Sequence, residues 1–250
     1  AFDPGSLLTR VNRLAAGRPV PVDGDTFAVL TLARELWEAT SGAFDPTLGA
    51  RMRAWGFREG APSAPADAPS PGMAAVELDA RAGTVRFLEP GIELDLGGLA
   101  KGIALDRAGE SLRSSEVECA LLHGGTSSIL AIGAPPDADG WPVGLDRDGE
   151  LPRLCLRDVA LGVSAGRGRD VADATDDSPR GHVLSPETGR PGSATGWAAV
   201  AGDRAAIADG WATALVAVPT LPFPDGLSCA VGADERRVDR RVDPLDVFRP

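Results

Sequence analysis

The 250-residue chain contains no tyrosine, two histidines, three cysteines and a single lysine, Lys101. It also has no apolar run near the roughly 20 residues that a membrane-spanning helix requires. Cys119, Cys155 and Cys229 are far apart and sit among apolar neighbours. Their spacing is not that of a zinc site and their odd number does not make a complete disulfide framework, so they are expected to be small buried hydrophobes. Positive charge is scarce: the net charge is −11, with 36 acidic against 25 basic residues. Nucleic acid and anionic membranes both demand a basic face, which argues against either as the main partner. A polyanion can still be held where a metal ion or helix N-termini supply a local positive field. What is present is ordinary globular composition, 43% hydrophobic and 24% charged, which excludes disorder throughout.

Periodicity places a helix from Ser6, its N-cap, to Leu14, with Leu7, Leu8, Val11 and Leu14 on one face. A second helix begins at Asp25 or Thr26 and stops at Ser41-Gly42. Residues 60–72 are rich in Pro, Ala and Ser and are expected to be a flexible surface insertion. Strands are predicted at Val76–Leu78, Thr84–Phe87, Ile92–Leu96, Ala120–Leu122, Ser128–Ile132, Val143–Leu145, Leu154–Leu156, Val159–Val163 and Trp197–Val200. Helices are predicted at Leu99–Leu112 and Arg204–Val216, the latter capped by Asp203. Residues 164–181, polar and aperiodic, read as a long loop. The irregular interleaving of strands and helices predicts an α+β fold around a mixed or antiparallel sheet with flanking helices, in a single domain over 1–250.

Four constellations could carry chemistry. Asp209 and Thr213 lie one helical turn apart and offer two hard oxygens to Mg²⁺ or Ca²⁺. The same pair also suits a surface residue beside a threonine bonded back to its own helix. Asp95-Leu96-Gly97-Gly98-Leu99-Ala100-Lys101-Gly102 is a glycine turn opening a helix, where backbone can approach a ligand closely. It is neither a P-loop nor a dinucleotide fingerprint. His182 precedes the turn Ser185-Pro186-Glu187-Thr188-Gly189. Gly162-Val163-Ser164-Ala165-Gly166 matches the GxSxG pattern of serine hydrolases, but a nucleophile elbow must lead into a helix and Ser164 leads into Arg167-Gly168-Arg169.

Taken in order, SGAFDPTLG at 41–49, Trp55-Gly56-Phe57, ELDLGGLAKGIALDRA at 93–108, HGGTSSILAIG at 123–133, GHVLSPETGRP at 181–191 and ADGWATAL at 208–215 resemble the motifs of the ApbE flavin transferases (FAD:protein FMN transferases). Ser6-Leu7-Leu8 and Asn12 are similar to that family's early segment. The resemblance implies an Mg²⁺-dependent enzyme that takes FAD as substrate, breaks its pyrophosphate and moves FMN to a Thr or Ser hydroxyl of an acceptor protein. It implies metal binding by the side chains of Asp209 and Thr213 and the carbonyl of Gly98. It implies FAD contacts from Ala43, Phe44, Asp45, Asp95, Lys101 and Leu184, and assigns His182 as the catalytic base. It also implies an extracytoplasmic, membrane-associated bacterial protein, and the family's N-terminal strand is not found in this sequence. The chain departs from the family pattern at Thr126 and Ser185, where the family has Asp, and at Ala165-Gly166-Arg167-Gly168, where it has S-G-D-Y. These departures leave open a member that binds or hydrolyses FAD without transferring FMN.

Overall fold

The computed structural model describes residues 5–60, 64–145, 153–166, 180–233, 238–243 and 247. The elements, in chain order, begin with helix α1 (Leu7–Leu14), strand β1 (Val20–Pro21), helices α2 (Gly24–Ala39) and α3 (Gly49–Ala54), and strands β2 (Val76–Asp79) and β3 (Thr84–Phe87). Helix α4 (Ala100–Ser114) precedes strands β4 (Ala120–His123), β5 (Ser128–Ile132), β6 (Trp141–Gly144), β7 (Arg153–Leu156) and β8 (Ala160–Ala165). Then come β9 (Arg180–Leu184), β10 (Pro191–Ser193), β11 (Trp197–Gly202), helix α5 (Ala205–Ala217), β12 (Ser228–Gly232) and β13 (Arg240–Val242). The fold is α+β. Residues 167–179 of the expected long loop, Arg167 among them, lie outside the described residues.

The chain divides into two compact units, one formed by 1–97 with 168–192 and the other by 98–167 with 193–250. In the first unit, Ser6 caps α1 by accepting from the Thr9 N–H at 3.2 Å. Helix α2 begins at Gly24, just before the expected Asp25 or Thr26, and its cap is Asp23, whose carboxylate accepts from the Thr26 N–H at 2.6 Å, the third N–H of the helix. Strands β1, β3 and β2 form a small antiparallel sheet in that order. The strand expected at Ile92–Leu96 is not one. Only a single bridge, Leu48 to Glu93, forms there. The Asn12 side chain takes the place of a strand neighbour, accepting from the Leu94 N–H at 2.8 Å and donating to the Leu94 carbonyl at 2.9 Å. Residues 64–72 of the Pro/Ala-rich stretch are also tied down. The buried Arg51 guanidinium donates to the Ala68 and Pro69 carbonyls, and the Trp55 indole donates to the Ala66 carbonyl at 3.0 Å.

The second unit is built on a six-stranded antiparallel sheet in the order β13-β12-β11-β8-β5-β4. β5, β11 and β12 are buried along their whole length. On one face Ile129, Ala131, Leu161, Trp197 and Ala199 pack with Val143, Leu154 and Leu156 of the β6-β7 ribbon. On the other lies α5, apolar nearly all round, against β8 and β11, with α4 beside it. Full burial of a leucine such as Leu161 or Leu130 is worth about 1.5–3 kcal/mol. β4 is a half-exposed edge rather than the buried strand expected. Cys119 and Cys155 are exposed, the latter because alternate residues of β7 face outward, and only Cys229 fits the expectation of a buried hydrophobe.

Two glycines set the depth of α5. A Cβ on Gly162 of β8 would stand 2.5 Å from the Ala208 carbonyl carbon and the Asp209 nitrogen. A Cβ on Gly102 of α4 would stand 2.4 Å from the Ala205 carbonyl oxygen. Both collisions are with backbone, which cannot rotate aside. Gly162→Ala is therefore expected to cost about 1–3 kcal/mol, the usual range for overpacking, read as a lowered urea midpoint. An unchanged midpoint would show that α5 does not rest on β8 at this contact.

Candidate functional site

In the first unit, the residues between α2 and α3 are held by side chain to backbone bonds. The buried Thr40 hydroxyl donates to the Leu36 carbonyl at 2.7 Å and accepts from the Phe44 N–H at 3.0 Å. This sets Ala43 and Phe44, both buried. Asp45 accepts from the Thr47 N–H at 2.8 Å and the Thr47 hydroxyl at 2.7 Å, and Thr47 in turn pairs with Ser70 at 2.6 Å. Burial raises the Asp45 carboxyl above its ordinary value, and these bonds and the nearby Arg51 charge partly offset it.

The Asp95 N–H donates to the Pro46 carbonyl at 2.8 Å, so the Ala43–Asp45 loop and Asp95 come together. Both oxygens of the Asp95 carboxylate have a partner. One oxygen accepts from the Gly97 N–H at 2.7 Å and the other meets the Arg58 guanidinium at 2.8 Å. Leu184 packs with Leu48, Met52 and Phe57. His182 is half-buried on β9. The turn after β9 closes through Ser185, whose N–H donates to the Arg190 carbonyl at 2.8 Å.

In the second unit, Asp209 of α5 is buried, 7% exposed. Both of its carboxylate oxygens lie 2.8 Å from the Ser128 hydroxyl, which donates to them. One also accepts from the Gly102 N–H at 2.8 Å. Asp209 thus caps α4 from outside that helix. The favour is returned: Asp106 of α4 accepts from the Ala205 and Ala206 N–H groups at 2.7 and 3.1 Å, capping α5. Asp203, expected as that cap, is exposed and lies outside the helix, whose N-cap is Arg204 without a side-chain cap bond.

Burial pushes the Asp209 carboxyl up from 3.8 to about 7. The Ser128 and Gly102 bonds and the Lys101 charge oppose this, and the Asp106 charge adds to it. The Thr213 hydroxyl donates to the Asp209 carbonyl at 3.0 Å, the back-bonding alternative, while its oxygen lone pairs stay available to a cation. Lys101 donates to the Ser127 hydroxyl. Gly98 lies in the turn before α4. Among the described residues no three His, Cys, Asp or Glu side chains cluster as a metal cage. The groups recorded beside the Asp209 carboxylate are the Ser128 hydroxyl, the Gly102 N–H and the Lys101 charge, and a single carboxylate is a common protein ligand of Mg²⁺, which completes its shell with waters and substrate phosphates.

Ser164 is a residue of β8 opposite Ala198 of β11. It stands in a paired strand and not on a strand-to-helix elbow, so the serine hydrolase alternative is set aside. Ser128 and Asp106 lie within the motif stretches 123–133 and 93–108, but nothing in their local pattern gave either one a role. Ser128 reads as the first residue of an apolar strand, and Asp106 as one more acid on a helix.

A family model described as the ApbE family matches residues 1–223. The chain belongs to the ApbE family. A protein named FAD:protein FMN transferase from Rhodobacter capsulatus is 31% identical over 268 residues, covering 99% of this chain and 48% of that protein. One of the same name from Chlamydia trachomatis is 29% identical, covering 86% of this chain and 69% of that protein. The chain thus spans about half the length of the first of these relatives. The crystal structure of the ApbE protein of Thermotoga maritima shares the fold with a TM-score of 0.82 at 23% identity, over 98% of this chain and 84% of that one. The apo form of the Pseudomonas stutzeri flavinyl transferase ApbE gives 0.74 at 22% identity, over 92% and 76%. Within this ApbE chain, no helix among the described residues is long and apolar enough to cross a membrane.

The Asp209 environment has a consequence for stability. Its carboxyl holds a proton more tightly in the folded chain, at about 7, than at its ordinary value of 3.8. Between those values the unfolded chain has released a proton that the folded chain keeps. Metal-free stability therefore falls as pH rises through that window and levels off above it. At about 1.4 kcal/mol per pH unit the loss is on the order of a few kcal/mol. Urea unfolding at pH 5 and pH 8 is expected to show this loss, and a smaller one in Asp209→Asn. Equal losses in the two proteins would rule out Asp209 as the source.

Proposed function

We propose that this ApbE chain catalyses Mg²⁺-dependent transfer of FMN from FAD to a Thr or Ser hydroxyl of an acceptor protein, releasing AMP. The observation that carries this reading is the buried Asp209 carboxylate, aligned by the Ser128 hydroxyl and the Gly102 N–H. It stands in a chain whose relatives bear the name FAD:protein FMN transferase. Asp209 and Thr213 would hold Mg²⁺ through their side chains and Gly98 through its carbonyl. The ion, when bound, neutralises charge on the pyrophosphate during phosphoryl transfer. Ala43, Phe44, Asp45, Asp95, Lys101 and Leu184 are assigned to FAD. Lys101 is the one flexible cation among them and is suited to a phosphate oxygen.

His182 would take the proton of the acceptor hydroxyl. The hydroxyl oxygen bonds to the FMN phosphorus, the bond from that phosphorus to the bridging oxygen breaks, and AMP leaves with the electron pair. A second reading, a member that binds or hydrolyses FAD without transfer, is favoured by Thr126 and Ser185 standing where the family has carboxylates.

Incubation with FAD, Mg²⁺ and an acceptor peptide is expected to give a fluorescent flavin-labelled peptide and stoichiometric AMP. Asp209→Ala is expected to abolish labelling. His182→Ala is expected to slow it by about 10²–10⁴-fold, the usual contribution of a general base. AMP without labelled peptide would favour hydrolysis. FAD binding with neither product would favour a binding protein. Full labelling by Asp209→Ala would remove the metal assignment.

A further inference from the structure

Ser128 is fully buried and opens β5 opposite Gly162 of β8. Gly162 lets the α5 backbone settle at Ala208–Asp209, which puts the Asp209 side chain over the start of β5. The single Ser128 proton is then shared between both carboxylate oxygens, at 2.8 Å each. The Gly102 N–H fixes one of the same oxygens from the side. A carboxylate gripped this way is held in orientation, and the lone pairs that Ser128 and Gly102 do not meet are left for a further partner.

The neighbouring serine faces a different partner: Ser127 receives the Lys101 ammonium. One turn between β4 and β5 thus presents adjacent hydroxyls to the acid and to the sole lysine. Neither serine is among the residues to which the family resemblance gives a role.

We infer that Ser128 is a positioning residue for a divalent cation, orienting the Asp209 carboxylate so that its free lone pairs meet the ion. This rests on the reading of Asp209 as a metal ligand. Outer hydrogen bonds to a ligating carboxylate commonly change metal affinity by about 10–100-fold when removed. Ser128 donates to oxygens that need a donor in order to keep one orientation in an apolar surrounding. Alanine in its place leaves the carboxylate held by the Gly102 N–H alone.

The test is a Mn²⁺ titration of the whole chain, following free Mn²⁺ by electron paramagnetic resonance, with Mn²⁺ as an oxygen-preferring probe. Wild type, Asp209→Asn, Ser128→Ala and Ser128→Thr are compared. Unfolding midpoints on the same samples verify that each is folded. The expected result is binding by the wild type, loss in Asp209→Asn, weakening of about tenfold or more in Ser128→Ala, and recovery in Ser128→Thr. A purely structural role would lower the midpoint of Ser128→Ala without moving its affinity for Mn²⁺. A folded Ser128→Ala that binds Mn²⁺ as the wild type does overturns the role of Ser128 and leaves the metal reading standing. Wild type that does not bind, or Asp209→Asn that binds as tightly as the wild type, overturns the metal reading itself. Should Ser128→Ala not fold, Ser128→Cys, of similar size with a weaker donor, is read by the same outcomes.

Discussion

Two helices cap each other, and the second unit depends on it. Asp106 of α4 closes the open N–H groups of α5, and Asp209 of α5 closes one of those of α4. Each helix start lacks an effective cap of its own, since Leu99 and Arg204 make no side-chain cap bond. Unmet N–H groups at a buried helix end cost free energy, and a carboxylate from outside meets both the hydrogen-bonding need and the positive end of the dipole. The exchange requires the helices to approach closely, which Gly102 permits, and α5 to lie deep on the sheet, which Gly162 permits.

This geometry gives Asp209 a double part. It is a structural cap, and it is also a charge kept from water, with a carboxyl driven up to about 7 by burial. Neutral donors and one lysine charge do not fully compensate such a group. Under the proposed function a hard cation would supply the missing charge to a carboxylate that Ser128 and Gly102 already hold in place. The bond that closes the start of α4 is thus one of those that orient the carboxylate which the proposed function gives to the metal.

The first unit solves a different problem with the same means. Its loops carry few ladder bonds, so side chains satisfy the backbone: Asn12 for Leu94, Thr40 for Phe44, Asp95 for Gly97. Motif residues there are engaged in building the loop as well as being assigned to FAD. Asp95 illustrates this, with one oxygen on a backbone N–H and the other on Arg58. The ion pair cancels the Asp95 charge, which reduces the repulsion that a phosphate-bearing ligand would meet.

The sequence by itself determined the family, through ordered motifs, and the elements whose stop and start signals are local. Ser6, the turn through Gly83 (φ 62°) that joins β2 to β3, β5 and the apolar helix α5 are legible because capping, turn chemistry and hydrophobic period act over a few residues. Tertiary structure alone decided the rest. Ile92–Leu96 has the composition of a strand, yet Asn12, 82 positions earlier than Leu94, takes its hydrogen bonds. Asp203 has the chemistry of a cap, yet Asp106 does the capping from 99 positions away. α3 forms without a cap of its own, its first N–H meeting the Glu93 carbonyl at 2.9 Å. Asp209 was visible as a helical acid, but its partner Ser128 was not. A hydrogen bond across 81 positions leaves no trace in local pattern, because it depends on where two glycines let the backbones meet.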